Sequence, residues 1–412
     1  MKVETPVMNS PTALLIATMD TKGREALFIA QCLKKKRIPV KILDAGIRGC
    51  SPVAVDITRE EVAAAVGKTL GEVQNIGHEG KALKVMTEGA IRCAQKLHRQ
   101  KKIHGLIGLG GSMGTTLGTG VMRSFPVGVP KVMISTMASR DTRAFVGTKD
   151  ILMLHSVCDL SGLNRITHKI LHNGAGALAG MLRPVQQEAS SDKPLVFLST
   201  LGTTETCAQS VRKALEEKGM EVVIFHTVGS GGAAMEEMIQ QEKVTAVVDL
   251  SLHEIADHLF GGDYDAGPNR GSVAPAKGIP TILIPGNIDF LVSGPLDMAG
   301  RQFPNRKYHV HNAAITVVRT AQKEIKNLAG AVADLADQAK GPLAILVPVA
   351  GFSAFDRADG PLPDPKAPVL FADVLKKKLA ARIPLKLLPH HINDPEFARA
   401  IVETLSELFE KG

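Results

Sequence analysis

The sequence predicts an α/β protein of two Rossmann-like domains, each a mostly parallel sheet flanked by helices, with a ligand cleft between them. Short apolar runs alternate with segments of helical periodicity along 412 residues, a length that favours two domains. Aromatic residues make up only 4% and tryptophan is absent, so aliphatic residues, alanine and glycine must form the cores. Residues 12–44 also align without a gap on residues 194–226, which indicates two related halves.

The first half begins with a predicted strand–helix–strand unit. An apolar strand at 12–18 leads into a helix with apolar residues at helical spacing, and a second strand follows at 39–43. Both loops of this unit lie at the carboxyl ends of strands, where open α/β sheets bind ligands. Asp20 either caps the helix or contacts a ligand, and Asp44 stands where dinucleotide-binding folds place a ribose-binding acid.

A glycine-rich loop follows the next predicted strand, at 103–109. Six glycines fall between positions 108 and 120, together with the hydroxyls of Ser112, Thr115 and Thr116. A loop of this kind leaves main-chain amides bare at a helix N-terminus, which favours an anion such as phosphate or carboxylate. A tight turn without a ligand is the alternative. The loop lacks the lysine of a P-loop, and Met113 stands where G-x-G-x-x-G requires its last glycine.

The remainder of the first half supplies further elements of the same fold. We expect a long helix at 81–100, a strand at 131–135 that ends in a hydroxyl-rich loop, and a helix at 166–182. Asn164 and Arg165 lie among apolar neighbours, so they take part either in a site or in core hydrogen bonding. Residues 186–193 read as a linker between domains at 1–185 and 194–412.

The second half carries a second glycine-rich turn, at 229–234, after predicted strands at 195–200 and 221–225. Gly229, Gly231 and Ala234 match G-x-G-x-x-A, and Asp249 ends the next strand about 20 residues later. These features permit an NAD(P)-dependent oxidoreductase. However, the turn follows the second strand of its half, whereas a dinucleotide fingerprint follows the first. A second anion-binding loop, for a substrate carboxylate or phosphate, is the favoured interpretation.

Polar residues follow several later strands and form the predicted substrate site. Strand side chains alternate, so His309 and His311 share one side of an extended segment at 308–312. Catalysis is assigned to His309, His311, Asp289 and Glu254, and substrate binding to Gly231, Gly232, Asp249, Arg270 and Gly286. The two histidines with Asp289 or His390 also permit a metal-dependent hydrolase. Ser353, Asp356, His390 and Asn393 include the residue types of a nucleophilic triad, but no G-x-S-x-G elbow supports them.

Composition limits the remaining functional classes. The net charge is +8, but the basic runs at 34–37 and 376–378 lie near predicted helix ends and only two tyrosines are present, so we expect no direct nucleic-acid partner. The five cysteines form no C-x-x-C pair, as in a reducing compartment. No apolar stretch approaches a membrane span of about 20 residues and positions 1–11 lack a signal-peptide core, so we expect a cytoplasmic homo-oligomer without membrane contact.

Several segments together resemble one family, in the same order from about residue 12 to 405. They are MDTKG at 19–23, GLGGSMGTT at 108–116, STMASRDT at 135–142, VGTKDI at 146–151, GLNRI at 162–166, AGPNR at 266–270, PGNIDF at 285–290, HVHN at 309–312 and HIND at 391–394. The chain resembles the ATP-binding-domain family named for the tomato mosaic virus resistance protein. The plant member binds and inhibits a viral replication protein, a role that we do not expect here.

This resemblance implies two Rossmann-like subdomains and ATP binding by the first. Carried over by position, the nucleotide site consists of Asp20, Thr21, Lys22, Gly23, Gly110, Gly111, Ser112, Gly114, Thr115, Thr116, Thr136 and Thr148. Met113 departs from the small residue expected there and should narrow the phosphate cradle.

Taken together, we expect a protein that binds ATP, alone or with Mg²⁺, and acts on a small anionic metabolite in the cleft, with Lys22 as a mobile cation. The alternatives are a regulatory module that binds a nucleotide without turnover, the NAD(P)-dependent oxidoreductase and the metal-dependent hydrolase.

Overall fold

The computed structural model describes residues 11–183 and 192–410 and confirms the predicted α/β class, with two Rossmann-like units that each hold a mostly parallel sheet flanked by helices. The chain forms two compact units, residues 1–188 and 189–412. Of the predicted linker, residues 186–191 lie outside the described part of the chain. Among residues 11–183 and 192–410, no helix is both long enough and apolar enough to cross a membrane.

The N-terminal unit is built on a parallel five-stranded sheet in the order β2-β1-β3-β4-β5, which is the doubly wound order of flavodoxin-like folds. Its strands are β1 (Ala13–Ala17), β2 (Val40–Asp44), β3 (Gly105–Gly110), β4 (Lys131–Ser135) and β5 (Leu152–His155). Its helices are α1 (Met19–Lys35), α2 (Arg59–Ala64), α3 (Leu70–Gln74), α4 (Glu79–Arg99), α5 (Ser112–Arg123), α6 (Arg143–Val146) and α7 (Arg165–Met181).

Helices cover both faces of this sheet, which explains why its central strands are continuous apolar runs. Every residue of β1, β3 and β4 is buried. Side chains of α1 and α7 pack on one face in a cluster that includes Leu15 and Ile107. Side chains of α4 and α5 pack on the other face with Leu14 and Leu106. Neighbouring strand residues thus point to opposite cores.

The C-terminal unit contains a parallel six-stranded sheet in the order β7-β6-β8-β9-β13-β14, with an antiparallel sheet of three strands, β10-β12-β11. Its strands are β6 (Leu195–Thr200), β7 (Glu221–His226), β8 (Ala246–Ser251), β9 (Thr281–Gly286), β10 (Phe290–Ser293), β11 (Tyr308–Asn312), β12 (Ile315–Arg319), β13 (Leu343–Pro348) and β14 (Leu385–Leu388). Its helices are α8 (Glu205–Glu217), α9 (Ser230–Gln241), α10 (His253–Phe260), α11 (Val273–Lys277), α12 (Leu296–Gln302), α13 (Gln322–Asp337), α14 (Lys366–Lys378) and α15 (Pro395–Glu410).

The internal repeat matches the strand pairing. In the N-terminal unit β1 lies between β2 and β3, and in the C-terminal unit β6 lies between β7 and β8, in both cases in parallel. The gapless alignment places β1 on β6 and β2 on β7. The loops that follow β1 and β6 therefore occupy equivalent positions in the two units.

Candidate functional site

The candidate site of the N-terminal unit is a cavity of about 380 Å³ at the carboxyl ends of β1 and β3. The strand order 2-1-3 reverses direction at this point, and open α/β sheets bind ligands at such a reversal. The start of α1 and the loop before α5 form its walls. Of the residues predicted to bind the cofactor, it is lined by Asp20, Thr21, Lys22, Gly110, Gly111, Ser112 and Gly114.

The glycine turn into α5 exposes main-chain amides to this cavity. A Cβ atom at Gly110 would lie 2.7 Å from the Cα of Gly114, so the turn is too tight for a larger residue. Gly111 is the N-cap of α5, and no side chain caps the helix. Within residues 11–183, the amides of Ser112 and Met113 donate no hydrogen bond, as expected for the first turn of an uncapped helix. The helix therefore presents unpaired N–H groups and the positive end of its dipole.

Two cationic side chains line the same cavity. Lys22 lies at a kink in α1, with φ −123° and ψ 16°, and its ammonium group has no hydrogen bond or ion pair within the described part of the unit. Arg48 is largely exposed, and one of its guanidinium nitrogens lies 3.6 Å from a carboxylate oxygen of Glu79. The cavity thus combines amide donors with one mobile cation and one cation that is weakly paired.

Besides Glu79, which lines the cavity, two more carboxylates lie at it, Asp20 in its wall and Asp44 next to Asp20. The Oδ1 atom of Asp44 accepts hydrogen bonds from the amides of Met19, at 3.0 Å, and Gly46, at 2.8 Å. Burial raises the pKa of Asp44; these amide bonds oppose the rise, and the charge of Asp20 adds to it. The Oδ1 atom of Asp20 is buried without a hydrogen-bond partner in the described residues. Asp20 is therefore a carboxylate with one oxygen that receives no hydrogen bond from the described residues.

The other predicted cofactor residues do not line the cavity. The hydroxyl of Thr115 is buried 2.6 Å from that of Ser135, and the hydroxyl of Thr116 donates to the carbonyl of Ser112. A Cβ at Gly23 would lie 2.7 Å from a Pro52 carbon. The remaining two contribute no lining atom: Thr136 donates its amide to the Gly110 carbonyl, and Thr148 follows α6. These contacts hold the loop in shape.

Asn164 acts as a helix cap. Its Oδ1 atom accepts hydrogen bonds from the amides of Ile166, at 2.9 Å, and Thr167, at 3.0 Å, at the start of α7. Of the two interpretations of Asn164 from the sequence, the geometry favours local hydrogen bonding.

The second glycine turn, at 229–234, already holds an anion from the protein itself. The amides of Gly229 and Gly232 donate to Oε1 of Glu254, at 2.7 and 3.0 Å. A Cβ at Gly232 would lie 1.7 Å from Oε2 of the same carboxylate, so only glycine fits. A substrate anion or an NAD(P) phosphate would have to displace Glu254 from this turn. The carboxylate explains the glycines without any external ligand.

Glu254 belongs to a buried ion cluster around Arg270. The guanidinium contacts both oxygens of Asp249, at 2.6 and 2.7 Å, and lies 2.6 Å from Glu254 and 3.4 Å from Glu236. Burial raises the pKa of Glu254 and of Glu236, while the charge of Arg270 opposes that rise. We call Arg270, Asp249, Glu254 and Glu236 the Arg270 cluster. Three of these four were predicted as catalytic or substrate-binding residues, and the cluster instead pairs them with one another.

The remaining predicted glycines of the C-terminal unit permit close approach of main chains. A Cβ at Gly231 would lie 1.7 Å from the carbonyl oxygen of His226, and one at Gly286 would lie 2.2 Å from that of Leu250. Packing alone therefore requires glycine at both positions.

Asp289 is buried beside Ser353 at the carboxyl edge of the C-terminal sheet. The hydroxyl of Ser353 donates to Oδ2 of Asp289 at 2.7 Å, and Arg319 lies 3.5 Å from the same oxygen. Burial raises the pKa of Asp289 to about 7, and the nearby charge of Asp356 contributes to the rise. His391, rather than His390, contacts Ser353, but through the serine carbonyl. The serine hydroxyl therefore bonds to a carboxyl and not to a histidine, unlike a nucleophilic triad.

A second cavity, of about 370 Å³, lies in the C-terminal unit at the carboxyl ends of β6 and β7. His311 lines it, whereas His309 contacts the ring of Phe355 at a centroid distance of 5.1 Å and lines no part of it. The wall also includes polar and aromatic residues that the sequence did not single out as site residues, namely Thr203, His226, Tyr264, Phe290 and Phe355. The internal repeat could have pointed to Thr203, because it aligns Thr203 with Thr21 of the first half. Within residues 11–183 and 192–410, no three His, Cys, Asp or Glu side chains form a group that could hold a metal ion.

Comparison with known proteins identifies relatives along the whole chain. Residues 11–187 match the N-terminal domain, and residues 193–409 the C-terminal domain, of a family described as "Uncharacterised protein family (UPF0261)". A UPF0261 protein from Clostridium tetani is 35% identical over 97% of this chain and 99% of its own length. The tomato ToMV resistance protein Tm-1(GCR237) is 30% identical over 98% of this chain, which spans 56% of the tomato protein.

Solved structures show only a distant likeness. A UDP-GlcNAc 2-epimerase from Neisseria meningitidis, bound to UDP-GlcNAc, is 8% identical with a TM-score of 0.20, covering 96% of this chain and 100% of the epimerase. The Streptomyces glycosyltransferase SsfS6, complexed with thymidine diphosphate, is 12% identical with a TM-score of 0.17, covering 96% of each chain. These values support no inference about ligands.

Proposed function

The chain belongs to the UPF0261 family, and from that premise we propose that it binds ATP in the cavity of its N-terminal unit. One observation carries the proposal: the first amides of α5 are unpaired and line a cavity at the point where the strand order reverses. The second glycine turn, by contrast, is occupied by Glu254. In the first turn, no carboxylate of residues 11–183 bonds to the first amides of the helix, so they are available to an external anion.

The cavity suits the phosphates of a nucleotide. Amide N–H groups and a helix N-terminus are the usual donors to phosphate oxygens. Ser112 adds a hydroxyl, and Lys22 adds a cation that no carboxylate neutralises in the described part of the unit. Arg48 supplies a second positive charge at the rim. We assign Lys22 to the outer phosphates, since a kinked helix start lets its long side chain swing over the cavity.

Asp20 fits a role in holding Mg²⁺. Mg²⁺ on a nucleotide usually takes one or two protein carboxylates and otherwise phosphate oxygens and water. The unpartnered Oδ1 of Asp20 supplies one such ligand, and Asp44 stands behind it with both of its amide bonds made. The bound ion would neutralise phosphate charge.

We further propose that the protein is an enzyme acting on a small anionic metabolite, with ATP as its co-substrate. The second cavity, at the carboxyl edge of the C-terminal sheet, supports a second ligand. A nucleotide-binding regulatory module is the alternative and would bind ATP without turnover. Phosphate release by the full chain, measured with and without a panel of small acids, separates the two.

The binding proposal is tested at Gly111. This residue has negative φ, and a Cβ there would meet only Thr136, at 3.8 Å, so the backbone accepts a side chain. Gly111→Asp would place a carboxylate against the free amides, as Glu254 does in the second turn. Calorimetric titration of ATP should show at least about a tenfold loss of affinity, the equivalent of one lost charge-assisted contact.

Gly111→Ala is the matched control, because it adds a Cβ atom without an oxygen that could bond to the amides at the start of the helix. It should retain most of the affinity. If Gly111→Asp binds ATP as the natural chain does, or if the natural chain binds no ATP at millimolar nucleotide, the proposal is wrong.

A further inference from the structure

The cavity of the C-terminal unit differs in chemistry from the ATP cavity proposed for the N-terminal unit. Its walls include the rings of Tyr264, Phe290 and Phe355 and aliphatic side chains such as Val317. The rings of Phe290 and Phe355 are tilted by 59° at a centroid distance of 5.3 Å. A volume of about 370 Å³ is at the lower end of the range for small-molecule sites. Such walls favour one planar ring over a sugar or a polyphosphate.

One hydroxyl of this cavity is held in position by buried polar groups. The side-chain amide of Asn287 donates to Oγ1 of Thr203 at 2.5 Å, and its carbonyl oxygen accepts from Thr204 at 3.0 Å. Asn287 is fully buried in the left-handed conformation, with φ +61°, and donates its main-chain amide to Phe352. Because the oxygen of Thr203 already accepts a hydrogen bond, its own proton is left to donate into the cavity.

Two histidines complete the polar side of this cavity. His226, at the end of β7, and His311, on β11, line the same space as Thr203. Neither imidazole has a hydrogen bond in the described part of the chain. Among the wall residues described, none is acidic, and none is a lysine or arginine. A bound anion would therefore meet hydrogen-bond donors and no wall carboxylate that repels it. The wall has no lysine or arginine to balance the several negative charges of a triphosphate.

We propose that this cavity binds a small aromatic acid, with its ring among Tyr264, Phe290 and Phe355 and its carboxylate against Thr203 and the two histidines. The carboxylate accepts the Thr203 proton and an imidazole N–H, and the ring replaces water against apolar walls. The inference names the class of small acid in the proposed function, on which it rests for a role in catalysis. Binding itself does not require ATP.

One fluorescent probe and three competitors test the proposal on the full chain. The protein lacks tryptophan, so the fluorescence anisotropy of indole-3-acetate reports only the probe. Benzoate should displace it about threefold to tenfold better than cyclohexanecarboxylate, which has the same charge without an aromatic ring. Phenylmethanol, which has the ring without the charge, should be weaker than benzoate. Equal displacement by all three, or no binding at millimolar probe, overturns the proposal.

Substitutions in the wall of the C-terminal cavity test whether the aromatic acid binds there. His311→Gln changes an exposed side chain, and Thr203→Ser keeps the hydroxyl that Thr203→Val removes. We expect about threefold to tenfold weaker benzoate binding for His311→Gln and Thr203→Val, and near-natural binding for Thr203→Ser. His172→Gln, on the surface of α7, is the matched control and should change nothing. Unchanged binding in His311→Gln and Thr203→Val contradicts the assignment.

The two proposals can fail separately. Gly111→Asp should weaken ATP binding and leave benzoate affinity unchanged, whereas His311→Gln should weaken benzoate binding and leave ATP affinity unchanged. If Gly111→Asp also loses benzoate, the aromatic acid binds in the N-terminal cavity and this inference is wrong.

Discussion

Arg270 is the one cation that contacts three buried carboxylates in its cluster, and its removal should destabilise the C-terminal unit strongly. The side chains of Arg270, Asp249 and Glu254 are at most 2% exposed, and that of Glu236 is 9% exposed. Arg270→Met keeps much of the volume but leaves the carboxylates without their cation. Removing one partner of a buried ion pair costs about 3–5 kcal/mol of unfolding free energy. We expect a loss of that order at pH 7.

The same cluster predicts how that loss depends on pH. Burial raises the pKa of Glu236 and Glu254 above the ordinary 4.5, so the folded chain binds protons more readily than the unfolded chain. Folding stability from these groups therefore falls as pH rises above about 4.5. Without Arg270 the ionised carboxylates repel one another more strongly. The loss of unfolding free energy in Arg270→Met should therefore grow between pH 4.5 and pH 7 and shrink on acidification.

Tyrosine fluorescence during urea unfolding measures this deficit in one unit. The chain has two tyrosines and no tryptophan, and Tyr264 and Tyr308 both lie in the C-terminal unit. Arg301→Met is the matched control, because Arg301 pairs with Asp297 on an exposed helix face and should change the unfolding free energy by less than about 1 kcal/mol. Equal losses for Arg270→Met and Arg301→Met, or a deficit that does not change with pH, would refute the reasoning.

Three further predictions concern one helix cap and two buried side chains. Asn164→Ala should lower the stability of the N-terminal unit by about 0.5–2 kcal/mol in thermal unfolding, and no change would contradict its role as a cap. Burial raises the pKa of Cys207 to about 12, so iodoacetamide mapped by mass spectrometry should label exposed Cys50 well before Cys207; equal labelling would contradict this burial. Asp289 has a pKa of about 7 against an ordinary 3.8, so the folded state holds its proton and stability falls as pH rises between these values; Asp289→Asn should flatten that part of the profile, and an unchanged slope would contradict it.

The strand and helix pattern was largely predictable because burial on both sheet faces imposes long apolar runs. The runs at 12–18 and 103–109 became the central strands β1 and β3. The edge strand β5 and the strands β10 and β12 were not predicted. Leu152 of β5 is 44% exposed. The short strands β10 and β12 pair with each other across the intervening α12 and β11, so no local pattern marks that pairing.

The sequence by itself determined the fold class, the repeat and the position of both glycine turns at the carboxyl ends of parallel strands. These follow from local periodicity and from the conformational needs of glycine, which neighbouring residues set. Only the tertiary structure decided which turn is free. Glu254 reaches the turn at 229–234 because α10 and Arg270 bring it there, whereas no carboxylate in the described part of the first unit bonds to the amides of Ser112 and Met113. Hydrogen-bond partners that lie far apart in the sequence leave no periodic pattern. The sequence therefore could not show that two similar glycine turns differ in chemistry.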